Sequence, residues 1–236
     1  MPSACSLGSA FAAANAATMV AAGNTGHYSC RMKGGNWKTI SSQRHFTNPH
    51  VDVVTDQVLT PSRSAPRTWT TVHRKAAVVI APMTRDGNIV LIRQERIPIR
   101  EAIWEMPSGQ IDHPVAGGGL SAVASAKADD PGNLETIEQV ALRELREEAG
   151  YELAKDGELI PLGSYFTSPG FTDERGYFFL ARFVVPIPDY VRHESESILD
   201  CRPFTVSEIR RMIGDNQIRD ANTLSLSARL WARGLV

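Results

Sequence analysis

Within Arg143–Gly150 the chain places Glu144, Glu147 and Glu148 at i, i+3 and i+4, so three carboxylates fall within one helical turn. Like charges at that spacing weaken a bare helix. The residues before them restrict the fold further. Ile137, Ala141, Glu144 and Glu148 recur at i, i+4, i+7 and i+11, so two of the glutamates continue an apolar line. Leu134, Val140 and Leu145 flank that line, while Gln139, Arg143 and Arg146 take the opposite side. A Glu-x-x-Glu-Glu taken alone is more often a solvated helix face. Here the phase aims carboxylates along the stripe that must be buried, which is costly unless they are paired or bound to a cation. Oxygen-only donors of this kind suit Mg²⁺ or Mn²⁺, with phosphate completing the coordination.

A length of 236 residues fits one generous domain or a domain with a small appendage. The net charge of −1 gives no electrostatic case for nucleic acid or an anionic membrane surface. No apolar run approaches the roughly 18 residues that span a bilayer. Cys5, Cys30 and Cys201 are scattered without CxxC spacing, which points away from a zinc site or disulfide framework and towards a reducing, cytoplasmic setting. Met1–Asn24 is rich in Ala, Ser and Gly and carries no charged side chain. It lacks a basic n-region, so residues 1–35 read as a flexible extension or an over-long start. The first acidic residue is Asp52, a trait shared with organellar transit segments, but no arginine precedes Arg31.

From Trp37 to Val72 the chain reads as short strands broken at Asn48-Pro49 and between Pro61 and Pro66. Ala76–Ala81 and Ile89–Arg93 are apolar runs joined through Asp86-Gly87, a hairpin signal. Residues Pro114–Asn133 form a Gly/Ala-rich loop, long for a compact domain. A helix over Leu134–Ala149 follows and stops at Gly150. Tyr177–Val185 is apolar enough for the centre of a sheet. Thr205-x-x-Glu208 is a capping box opening a helix to about Ile213, and Asp220–Trp231 reads as a closing helix. Strands and helices are mixed, so an α+β fold is expected, with a mixed sheet between helices.

Glu135-x7-Arg143-Glu144-Leu145-x-Glu147-Glu148-x-Gly150-Tyr151 resembles the Nudix box, the signature of the Nudix hydrolases. The family's pattern places a glycine six residues before the first glutamate, where this chain has Asp129. Trp104-Glu105-Met106-Pro107-Ser108-Gly109-Gln110-Ile111-Asp112 looks like the family's strand and loop ahead of the box, with Gly109 as the glycine. Residues 113–133 are then an insertion, which a surface loop tolerates at small entropic cost. Three further stretches resemble the ADP-ribose or ADP-sugar pyrophosphatase branch: Gln94-x-Arg96, the loop Ser168–Glu174, and the pair Asn36-Trp37-Lys38 with Thr68–Val72 followed by Arg74.

The resemblance implies a Nudix fold over residues 76–236, preceded by an N-terminal β segment over 36–75 that serves a homodimer. It assigns Glu144, Glu147 and Glu148 to Mg²⁺, with Mn²⁺ possible and a backbone carbonyl near Ser108 as a further ligand. Arg143 would orient the box, and Glu147 takes part in catalysis through the metal it holds. Glu135 is either a further metal ligand or a carboxylate favoured by the helix dipole. Glu174 is the expected water-activating carboxylate. Arg96 and Arg74 are the expected phosphate partners, since a guanidinium clamps oxyanions bidentately. Trp37 and Trp69 would sandwich adenine, against the ordinary reading of tryptophans as packing residues. The activity implied is hydrolysis of ADP-ribose or a related ADP-sugar to AMP and a sugar phosphate. The box reports the pyrophosphate and not the base, so a GDP- or UDP-sugar is an alternative substrate. A binding module that does not cleave nucleotide-sugars is another, marked by loss of a box glutamate, and none is lost here.

Overall fold

The computed structural model describes residues 36–112, 135–192 and 197–236. The expected extension over 1–35 and the insertion over 113–133 lie outside these residues. The described chain begins with three antiparallel strands, β1 (Lys38–Thr47), β2 (Val51–Leu59) and β3 (Arg67–Arg74), in the order β1-β2-β3. The breaks between them fall at Asn48-Pro49 and over residues 60–66, as the turn residues require.

A second sheet follows. Its main path runs β10-β5-β4-β9-β8, from β4 (Ala77–Met83), β5 (Ile89–Arg96), β8 (Tyr151–Phe166), β9 (Arg175–Pro186) and β10 (Ile198–Phe204). Two short strands join it, β6 (Glu101–Glu105) on β5 and β7 (Ser108–Gln110) on β4. The β4–β9 pair is parallel and the others are antiparallel, so the sheet is mixed as expected. Asp86-Gly87 turns the chain between β4 and β5, with Gly87 at φ 76. Strand β8 has no clear sequence signature, because Asp156, Gly157, Pro161 and Gly163 interrupt it. Its ladder with β9 holds it extended through two register shifts.

Both faces of this sheet are covered. On one, Val79, Leu91, Phe178 and Leu180 pack with Ile209 and Met212 of α2 (Val206–Gly214) and Leu226 and Leu230 of α3 (Ala221–Ala232). On the other, Val78, Ile80, Val90, Ile92 and Phe179 pack with Val140, Ala141 and Leu145 of the glutamate helix. A sheet whose strands are apolar on both faces needs such a double cover. Thr205 and Glu208 form the capping box read from the sequence, and Asp220 caps α3. Among the described residues no helix is long and apolar enough to cross a membrane.

The glutamate helix differs from its expected form. Thr136 and Gln139 make a capping box, so α1 begins at Ile137 and runs to Glu144. The next five residues, Leu145–Ala149, form a π-helical turn instead of continuing the α-helix. Such turns occur mostly as single insertions, often at functional sites. Gly150 then ends the helix in the left-handed conformation, φ 70 and ψ 30.

Candidate active site

The phase read from the sequence is the phase observed. Glu144 is 8% exposed and Glu148 4%, while the Glu147 side chain is 53% exposed. Two carboxylates therefore enter the interior from one turn, and the third turns outward. Among the described residues no three His, Cys, Asp or Glu groups converge as a ready-made ligand cluster. Of the expected trio, Glu144 and Glu148 are buried and Glu147 is exposed, with one Arg143 nitrogen contacting both Glu144 and Glu147.

Arg143 organises the acids around itself. Its Nη1 donates to Glu144 Oε1 at 2.7 Å and to Glu147 Oε2 at 2.9 Å, and its Nε donates to Glu135 Oε1 at 3.2 Å. Partial burial works against its charge, but Glu144, Glu147 and Glu135 together hold its pKa above the ordinary arginine value. Glu135 is engaged here as an arginine partner.

Strand β7 meets the buried pair. Its residues lie antiparallel to β4, with Val79 opposite Ser108 and Val78 opposite Gly109. The Ser108 N–H donates to Glu148 Oε2 at 2.7 Å. Gly109 lies directly under Glu144: a Cβ there would sit 1.9 Å from Glu144 Cδ. The glycine is required by this close approach. Gly109→Ala must push the Glu144 carboxylate aside, and displacement of about 1 Å can cost roughly 10²-fold in rate. The expected result is a large fall in kcat with an unfolding temperature near wild type, read by steady-state kinetics and thermal melting.

Behind this pair stands Glu105, which the sequence reading quoted without a role. It is buried, and Arg96 grips it through Nη2 to Oε1 at 2.9 Å and Nε to Oε2 at 3.2 Å. Burial raises the Glu105 pKa to about 7, although Arg96 opposes the shift and Asp220 adds to it. Glu148 is raised well above the ordinary carboxylate value, chiefly by burial. The Ser108 N–H and Arg96 offset part of this, whereas Glu144 and Glu105 reinforce it. Arg96, expected at a phosphate, is thus seated between acids of the site. A signal for Glu105 existed, in the alternation Ile103-Trp104-Glu105 on a strand whose neighbour carries Arg96.

The Ser168–Glu174 loop is anchored by β3. Val72 N–H donates to Phe171 O at 3.0 Å, and Trp69 Nε1 donates to Gly170 O at 3.1 Å. His73 Nδ1 lies 2.8 Å from Asp173 Oδ2. Arg74 Nη1 and Thr167 Oγ1 donate to Glu174 Oε2 at 3.2 and 3.0 Å. Glu174 is therefore a buried, pinned carboxylate rather than a mobile loop residue, and Arg74 is its ion partner. The register Gly109–Val78–Tyr177 sets Glu174 roughly 10 Å across and 10 Å along the sheet from Gly109. It stands at the same end of β4 as the buried pair, on the far side of that strand.

Trp37 and Trp69 are 68% and 50% exposed. Trp69 lies opposite Asp56, and Asp56 opposite Ser42, so Trp37 is two strands away and roughly 17 Å further along the ladder. One chain does not sandwich a base between them. Two residues escaped the sequence reading entirely: Tyr190 Oη donates to Glu147 O, and Arg192 Nε donates to Glu148 O at 2.9 Å.

A buried carboxylate pair over a glycine, an arginine gathering the acids and a further acid across β4 thus meet at one end of the sheet. The family model of the NUDIX domain matches residues 72–225. The ADP-ribose pyrophosphatase of Bacillus subtilis (strain 168) is 27% identical over 192 residues, covering 81% of this chain and 91% of that protein. The methanol dehydrogenase activator of Bacillus methanolicus is 29% identical over 187 residues, covering 79% and 88%. A solved structure, the crystal structure of ADP compounds hydrolase, superposes with a TM-score of 0.63 at 17% identity, over 84% of this chain and 95% of that one, and shares its fold. With the matched model spanning well over half of the chain and carrying the glutamate turn within it, the chain belongs to the Nudix family of hydrolases.

Proposed function

We propose that this protein hydrolyses the pyrophosphate bond of ADP-ribose or a related ADP-sugar, giving AMP and a sugar phosphate, with Mg²⁺ as its cation. The observation carrying the reading is the buried pair Glu144 and Glu148 set against Ser108 and Gly109. Glu144 and Glu148 repel each other in the interior, where Arg143 and the Ser108 N–H offset only part of the cost, and all-oxygen donors suit Mg²⁺ or Mn²⁺. Glu144 and Glu148 would hold it, with Glu147 and a carbonyl near Ser108 as further donors. When bound, the cation neutralises the diphosphate and acidifies water.

The chain's own groups supply the rest. Arg143 keeps Glu144 and Glu147 oriented. Arg96 and Arg74 each retain an exposed edge for phosphate oxygens while holding Glu105 and Glu174. Glu174, as general base, takes the proton of the attacking water. The test is a phosphate-release screen of nucleoside diphosphate derivatives with Mg²⁺, coupled to a phosphatase. Turnover of ADP-ribose above GDP-mannose and UDP-glucose is the expected order. Preference for either of the latter moves the assignment to another nucleotide-sugar, and no turnover leaves a binding module.

Base stacking fits a homodimer. Trp37, Ile40, Phe46 and Trp69 are exposed on the three-stranded sheet, and the two tryptophans lie too far apart to share a base within one chain. A partner subunit would bring the second ring. Trp37→Ala and Trp69→Ala should each raise KM for ADP-ribose about tenfold or more, since base stacking contributes about 1–3 kcal/mol, with kcat less affected. Equal losses on ADP-ribose and GDP-mannose would make both residues structural.

A further inference from the structure

The π-helical turn ends in an unusual way. A helix leaves its last carbonyls without internal donors, and here the carbonyls of residues 147–150 each receive one from outside. Tyr190 Oη donates to Glu147 O, Arg192 Nε to Glu148 O at 2.9 Å, Cys201 Sγ to Ala149 O at 3.3 Å, and Ile187 N–H to Gly150 O at 2.9 Å. Three of these donors come from the segment just after β9. The Tyr190 ring also packs on Gly150, where a Cβ would meet Tyr190 Cδ1 at 2.4 Å. Gly150 is thus required twice, for its left-handed backbone and for the ring against it.

An ordinary C-cap needs none of this, because a glycine with two backbone bonds suffices. What the side-chain donors add is a fixed backbone at the two residues whose carboxylates part company. Glu148 turns inward to Ser108, and Glu147 turns outward to Arg143. The carbonyl of each residue fixes the peptide plane from which its side chain departs. Arg192 also brings a cation to the negative end of the helix, which suits the dipole.

We propose that Tyr190 and Arg192 are positioning residues for the glutamate turn, acting through the Glu147 and Glu148 backbone to set the cation affinity of the carboxylates. This rests on the cation reading of Glu144 and Glu148 given above. Partners that orient a metal's ligands without touching it commonly alter affinity by about 10–100-fold when removed.

The test is Mn²⁺ titration of the full chain, followed by electron paramagnetic resonance of the free ion, with thermal melting of the same metal-free samples. The variants are Tyr190→Phe, which keeps the ring on Gly150, Arg192→Met, Arg192→Lys, and Glu148→Gln as the reference. Tyr190→Phe and Arg192→Met should each weaken Mn²⁺ binding about tenfold, with melting within a few degrees of wild type. Arg192→Lys should recover part of the affinity. Wild-type affinity in both Tyr190→Phe and Arg192→Met, with Glu148→Gln defective, would overturn the positioning role and leave the cation reading standing. Wild-type affinity in Glu148→Gln would overturn both. Should either positioning variant melt far below wild type, Mn²⁺ affinity measured at a temperature where it is fully folded decides. Unchanged affinity there makes the contacts purely structural.

Discussion

Glu148→Gln should lose about 10²–10³-fold or more in kcat, the scale of removing one preorganised electrostatic contact, while the metal-free protein becomes no less stable at neutral pH. The opposite signs make the test sharp. The Glu148 carboxylate is buried with Glu144 and Glu105 nearby, and burial holds its pKa well above the ordinary value. A carboxyl raised by folding stabilises fully below its unfolded pKa, near 4.5, and loses that contribution as pH climbs through the folded value. Glu105 adds a loss of the same sign between 4.5 and about 7. Metal-free wild type should therefore melt at a lower temperature at about pH 8 than at about pH 5, and Glu148→Gln should flatten that slope. The Gln carbonyl can still accept from Ser108 N–H. A residue kept for structure would lose stability and activity together. Near-wild-type kcat with Mg²⁺ would remove Glu148 from the metal site.

Glu174→Gln should lower kcat by about 10²–10⁴-fold, the range for a positioned acid–base group, and leave Mn²⁺ affinity unchanged. Arg74 makes this more than a single substitution. Its guanidinium lies 3.2 Å from Glu174, so the two residues form a coupled pair. If Arg74 serves only to seat Glu174, Arg74→Ala in the Glu174→Gln background should cost little further. If it also holds phosphate, the double variant should raise KM beyond the single one. An unaffected kcat in Glu174→Gln would move water activation to a glutamate of the box.

The parts of this site that could be read from sequence are those written at short range. Ile137, Ala141, Glu144 and Glu148 share one face because of the helical period, and Glu144 and Glu148 are buried where that period places them. Thr205 and Glu208 announced a helix through a three-residue reciprocal cap. Gly109 was matched by its surroundings, and its reason became visible only with Glu144 above it. Long-range pairings left no such trace. Arg74 and Glu174 lie 100 residues apart, and nothing near either predicts that they meet. Arg96 and Glu105 are only nine residues apart, but register sets Arg96 opposite Glu101 and Glu105 opposite Ile92, so their ion pair depends on side-chain reach between the strands. The π-helical turn depends on donors from Tyr190, Arg192 and Cys201, which belong to other elements. The distance between Trp37 and Trp69 follows from strand order, which side-chain pattern does not encode.

The parallel pairing of β4 with β9 bears on when a newly made chain becomes competent. Ala77 lies beside Gly176, and β3 is bridged to the loop just before β9 by Val72 with Thr172. These contacts span nearly a hundred residues, so their closure entropy is spent before any of them contributes stability. The hairpin partners β5 and β6 and the local turns of α1 can form earlier, on short loops. The carboxylate on the far side of β4 arrives only with β9, the interior strand between β4 and β8. On the ribosome, the turn carrying Glu144, Glu147 and Glu148 is therefore synthesised before the strand that brings Glu174 beside β4. The two sides of the candidate site are thus joined by contacts of high sequence separation, which are among the slower kinds to form.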